Sequence, residues 1–223
     1  MGRIHLGSIL GTTITLDFSF LIVIALFVMS DIEVVGWRYA LLWVPVVFIS
    51  ILVHELAHAA TIGSFGYGPS HILLQGIGGV TINERRAKPW QDVFISAAGP
   101  VSSFLLAWGV GMLMFRVPMA NRDPFLAALL PLLRIANIYW AFFNLMPVAP
   151  LDGYGVVRNL LRIFLDERLA FTIAIWISII VGSALAIVGL IFKQYFVALL
   201  VLWYVRGSYL QWQFFRSIDH TND

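Results

Sequence analysis

Apolar residues come along this chain in long runs broken by short polar punctuation. The runs fall near Phe18–Met29, Tyr39–Ile62, Val93–Phe115, Phe125–Met146, Leu169–Phe192 and Tyr195–Trp212. About 18 or more apolar residues suffice to cross a bilayer as a helix. The pattern therefore predicts six spans, the first of them short. Turn residues such as Asn121-Arg122-Asp123-Pro124 separate them. Two stretches have a different texture. Ile9–Leu16 (ILGTTITL) is rich in threonine and β-branched residues around Gly11, and His71–Ile82 (HILLQGIGGVTI) is apolar with glycines at 76, 78 and 79. Both are too short to span and read as strands of a small sheet at the membrane surface. The expected fold class is an all-α polytopic membrane protein, six transmembrane helices with a small membrane-surface β-sheet, in a single domain over 1–223.

Composition agrees. The chain is 60% hydrophobic and 12% charged, with mean hydropathy +0.89, which leaves no room for a soluble domain. No cysteine is present, so neither a disulfide framework nor a cysteine metal site is available. A net charge of +2 is too small to suggest a nucleic-acid partner; the partner it implies is the lipid bilayer. No cleavable leader is evident, and the first span is expected to stay as an anchor. Basic residues report orientation instead. With the N-terminus inside, the cytoplasmic side holds Arg3, Arg85, Arg86, Lys88, Arg158, Arg162, Arg168, Arg206 and Arg216. The other side holds Arg38, Arg116, Arg122, Arg134 and Lys193. Nine against five places the N-terminus in the cytoplasm, in a multi-pass protein expected at the cell membrane.

Inside the second span stands the sequence His54-Glu55-Leu56-Ala57-His58. Ionisable residues cost roughly 2–3 kcal/mol or more each in such a segment, so three within one turn demand a reason. Residues i and i+4 share a helix face, so His54 and His58 can hold one ion. Glu55 lies about 100° round, on the flank of that face. Imidazole suits zinc, which in catalytic sites takes three protein ligands and keeps one position for water. Zinc lowers the pKa of that water and Glu55 is placed to take its proton. One ligand is then missing. The second and fourth spans both run inward, and the fourth ends in FFNLMPVAPLDGYGVVR. Pro147 and Pro150 break the helix there, and Asp152 arrives at the same cytoplasmic end as the histidines. It could instead simply cap the helix that follows.

These stretches together resemble the site-2 protease family of intramembrane zinc metalloproteases. The resemblance is carried by HELAHAATIGSFG at 54–66, GIGGV at 76–80, AAGPVSSFLLA at 97–107 and FNLMPVAPLDG at 143–153, and covers nearly the whole chain. It implies one Zn2+ per chain bound by His54, His58 and Asp152, with Glu55 as general base. Asn144, ahead of the prolines, would help hold substrate or the developing oxyanion; ordinary interhelical hydrogen bonding is the alternative. Two departures stand out. Gly153 is followed by Tyr154 before Gly155, where the family often has paired glycines, and Asp17 precedes the first span and reads as structural. Within these 223 residues there is neither a PDZ domain nor a CBS pair, so the chain resembles the minimal six-span core.

The function expected is hydrolysis of peptide bonds within or near the transmembrane segments of a membrane-protein substrate, in a polar cleft open to the cytoplasm. A substrate helix must unwind first, and an exposed strand edge can hold the unwound segment. Gly78 and Gly79 would let a second backbone approach closely. A loop that merely fills space between helices is the alternative. Two other functions compete: a membrane metal-ion transporter, and a noncatalytic membrane-protein binder of the same fold. A transport path would spread ligands over several spans, and outside the motif these spans hold almost no carboxylates. Substrate identity and any regulatory partner are not legible.

Overall fold

The computed structural model describes residues 2–9, 11–76, 78–83, 87–116 and 123–219. Arg85, Arg86 and Arg122 of the charge count, Ile77 of the glycine-rich stretch and positions 121–122 of the expected turn lie outside the described residues. The elements in chain order are β1 (Arg3–Ile9), β2 (Thr12–Asp17), α1 (Phe18–Val35), α2 (Trp37–Ala40), α3 (Trp43–Ser64), β3 (His71–Gln75), β4 (Gly78–Ile82), α4 (Pro89–Arg116), α5 (Pro124–Asn144), α6 (Asp152–Phe164), α7 (Glu167–Ile191) and α8 (Tyr195–Asp219).

Two compact units emerge, each discontinuous in sequence: residues 1–87 with 98–142, and residues 88–97 with 143–223. The first holds the sheet, in the order β1-β2-β3-β4. Each strand-like stretch of the sequence proves to be part of a hairpin. The first, expected over Ile9–Leu16, is β2 plus the turn at Gly11, whose φ of +78° suits glycine. Its partner β1 shows no alternation because it buries almost nothing; Ile4, Leu6 and Ile9 are exposed, and backbone pairing to β2 holds it. The second stretch turns at Gly76, φ +51°, into β3 and β4, paired from His71↔Ile82 to Gln75↔Gly78. β2 and β3 run parallel in the middle.

Asp17 starts α1. Its carboxylate accepts from the Ser19 amide at 2.9 Å and from the Ser19 hydroxyl at 2.7 Å, satisfying an amide that the first turn leaves free. The same hydroxyl accepts from the Gly76 amide at 2.9 Å, fastening the β3–β4 turn to the start of α1. One apolar core joins Ile14, Leu16, Ile72 and Leu74 of the sheet to Phe20 and Ile24 of α1 and Val47, Ile51 and Ala59 of α3. A second joins Val46, Val110 and Leu133, from α3, α4 and α5. The sheet therefore lies against the helix that carries the histidine motif.

In the second unit, α6 is an amphipathic helix, with Arg158 and Arg162 paired to Glu167. Arg162 also reaches Asp92 at 3.3 Å. Helices α7 and α8 form a hairpin packed through small residues. Gly182 faces Val205, Gly189 faces Ala198, and Ser178 and Ser208 share a hydrogen bond of 2.9 Å, as close helix packing in lipid favours.

Among the described residues, five helical stretches are long and apolar enough to cross a membrane: Phe18–Val35, Trp37–Ser64, Pro89–Arg116, Pro124–Asn144 and Glu167–Ile191. The expected sixth, α8, has the length but carries Arg206, Gln211, Gln213 and Arg216 and is not among them. The protein is an integral membrane protein whose outward surface is largely apolar, as lipid requires. Trp108 is 64% exposed on that surface, whereas Trp140 packs against the sheet core.

Candidate metal centre

Helix α3 buries His54, Glu55 and His58 to 2%, 5% and 7% exposure. Three polar groups this deep must have partners, since an unpaired one costs heavily in such surroundings. The two imidazole rings stand 4.9 Å apart and nearly perpendicular. His54 Nδ1 lies 3.1 Å from the hydroxyl of Ser103, which is fully buried on α4. With Nδ1 carrying its proton towards that oxygen, Nε2 would offer its lone pair to a metal. A hydrogen bond to the far ring nitrogen is how metal-binding histidines are usually oriented.

One residue along α4 tests whether an ion fits. A Cβ at Gly99 would fall against His58 Nε2 and 2.5 Å from His54 Nε2. Zinc binds imidazole nitrogen at about 2.0–2.1 Å. Glycine at 99 thus keeps side-chain atoms away from both ligand nitrogens, where an ion would have to bind. The donor set is completed by Asp152: the ligand atoms of His54, His58 and Asp152 all lie within 4.8 Å of one another. Two imidazoles and one carboxylate match the three-ligand set of catalytic zinc. His54, His58 and Asp152 form a cluster that could bind one zinc ion.

Asp152 owes its position to a tight turn after α5. Val148 donates to Met146 O at 2.7 Å, Leu151 to Val148 O at 2.8 Å, and Ala149 to the Ser178 hydroxyl at 2.8 Å. Gly153 sits against the carbonyls of Leu145 and Met146, the latter 2.5 Å from where a Cβ would stand. No larger residue fits there. Asp152 is the first residue of α6, and the N-cap position belongs to Leu151, which makes no side-chain cap. Asp152 thus stands one residue past the N-cap position. Asn144 is the last residue of α5 and buried. Tyr154 packs with Ala149, Ala174 and Ile175 in the core of the second unit.

Glu55 is approached from the other side by β4. Thr81 donates its hydroxyl to Glu55 Oε2 at 2.6 Å. A Cβ at Gly79 would lie 2.6 Å from Glu55 Cδ and 2.7 Å from Oε1. Gly78 faces the Trp140 ring, 3.6 Å from its Cβ position. The bare faces of both glycines are therefore filled by this chain's own side chains. At Gly79 a side chain would collide with Glu55, whereas at Gly78 a Cβ would make only ordinary contact with Trp140; the strand's hydrogen-bonding edge is a separate matter. Sequence reading missed Ser103, Gly99 and Thr81. Gly99 and Ser103 fall in the AAGPVSSFLLA stretch and Thr81 in HILLQGIGGVTI, and neither stretch assigns a role to a residue.

No family model matches the chain. It is 29% identical over 192 residues to a zinc metalloprotease of Methanocaldococcus jannaschii, covering 85% of this chain and 53% of that protein. To a candidate zinc metalloprotease of Synechocystis it is 28% identical over 178 residues, 76% of this chain and 46% of the other. The chain thus spans about half the length of these curated relatives. The solved site-2 protease from Methanocaldococcus jannaschii superposes with a TM-score of 0.64 at 26% identity, over 94% of each chain.

Proposed function

We propose that this chain is a member of the site-2 protease family, to which it is similar, and that it is a zinc endopeptidase acting on membrane-spanning segments of other proteins. The observation that carries the proposal is the buried cluster of His54, His58 and Asp152 with Glu55 on the next position of the same helix turn. His54 and His58 would hold the ion from one helix, and Asp152 would supply the oxygen ligand. Zinc in such a set supplies an acidified water and polarises a carbonyl oxygen.

The chain's own residues do the rest. Glu55 accepts a proton from the attacking water and returns it to the leaving amine. Asn144 donates to the carbonyl oxygen as charge gathers on it. Burial of the motif keeps bulk water away, which strengthens each of these contacts. Strand β4 pairs only with β3 among the described residues. Its outer edge, at Gly78 and Gly79, receives the unwound substrate segment as an added strand. The excess of basic residues on the N-terminal side places the site towards the cytoplasm of a cell membrane.

Purified protein reconstituted with a transmembrane model substrate tests this. Wild type should cleave and carry one zinc per chain. Glu55→Gln should keep the zinc and lose cleavage, and His54→Ala should lose both. A chelator should abolish turnover and added zinc restore it. Cleavage by Glu55→Gln at the wild-type rate would end the proposal.

A further inference from the structure

The contacts of Glu55 suggest how its carboxylate is aimed. A side-chain hydrogen bond reaches it from the sheet, from the Thr81 hydroxyl at 2.6 Å to Oε2. The same hydroxyl lies 3.2 Å from the Glu55 carbonyl oxygen. A hydroxyl has one hydrogen, and the shorter contact takes it. Two residues earlier on the same face of β4, Gly79 presents bare backbone to Glu55 Cδ and Oε1. Strand alternation puts residues 79 and 81 on one face. The carboxylate is thus held on one oxygen and backed along its length by a single strand, the strand whose outer edge is open.

We propose that Thr81 is a positioning residue for Glu55: its hydroxyl fixes the rotamer of the carboxylate, so that β4 both offers an edge to substrate and aims the base. The inference rests on Glu55 being the proton acceptor. A glutamate side chain has three rotatable bonds, and without the hydroxyl it would spread over several rotamers. The hydroxyl itself adds nothing to strand formation, since valine is as good a strand former as threonine. Because the holder belongs to the substrate-binding strand, a segment paired along β4 would stiffen the same backbone that orients the base.

The test compares Thr81→Val and Thr81→Ser with wild type and Glu55→Gln, in reconstituted full-length chain. Zinc content, thermal midpoint, kcat and KM are measured for each. Thr81→Val should keep one zinc and an unchanged midpoint, while kcat falls about 10- to 100-fold at constant KM, the scale of a misplaced catalytic group. Thr81→Ser should restore kcat to within about threefold. If Thr81→Val turns over like wild type while Glu55→Gln is dead, the inference fails and the protease reading stands. Loss of zinc or of the thermal midpoint in Thr81→Val, or no rescue by serine, also overturns it. Cleavage by Glu55→Gln would instead bring down the protease reading itself.

Discussion

Helix α3 presents its ionisable triplet to two different neighbours. On one side α4 meets the imidazoles: Ser103 at His54 Nδ1 and the bare Gly99 at both Nε2 atoms. On the other, β4 meets the carboxylate: Thr81 at Oε2 and bare Gly79 along Cδ and Oε1. Each side uses one hydroxyl to orient and one glycine to make room. The groups they serve have different tasks, one to hold an ion and the other to move a proton. Three adjacent side chains that the sequence joins in one motif are thus supported separately. Damage on the α4 side should show as lost metal, and damage on the β4 side as lost turnover with the metal in place.

The largest expected effect is at Gly99. Gly99→Ala puts a methyl group against both ligand nitrogens, so zinc content should fall to near zero and cleavage with it, while the helix gains a better helix former. Metal analysis beside circular dichroism checks this; a fully zinc-loaded Gly99→Ala protein would break the comparison. Next is Gly79→Ala, where the new methyl would overlap Glu55. Turnover should drop at least tenfold as the carboxylate is pushed aside, with zinc retained, since no ligand is touched. Ser103→Ala is milder. His54 loses its orienting partner, and zinc affinity should weaken about 10- to 100-fold, read by competition with a chelator, with kcat at saturating zinc close to wild type.

The smallest effect lies outside the site and serves as a control. Ser19, through its hydroxyl first and its amide second, holds the Asp17 carboxyl below its ordinary value. A lowered folded-state pKa contributes stability above the unfolded-state value, and that stability is lost as pH falls through the folded one. The thermal midpoint should therefore be flat at neutral pH and acquire an Asp17-dependent decline only in the acid range. Asp17→Asn should remove that part of the decline without changing zinc content.

The sequence by itself determined the membrane class, most of the spans, the two glycine-rich β segments and the four residues whose chemistry is unusual for their surroundings. These are properties of composition and spacing. A long apolar run has few fates, and two histidines four residues apart on a helix must share a face. The tertiary structure decided what touches them. β1 was invisible because it buries almost no side chains, so no alternation marks it. The sequence could not show that the face of Gly79 would meet Glu55, nor that Gly78 would lie near Trp140. Ser103 and Thr81 are common residue types, 49 and 26 positions from their partners. Hydrogen bonds between such distant positions follow from how helix and strand pack, and local pattern carries no record of that.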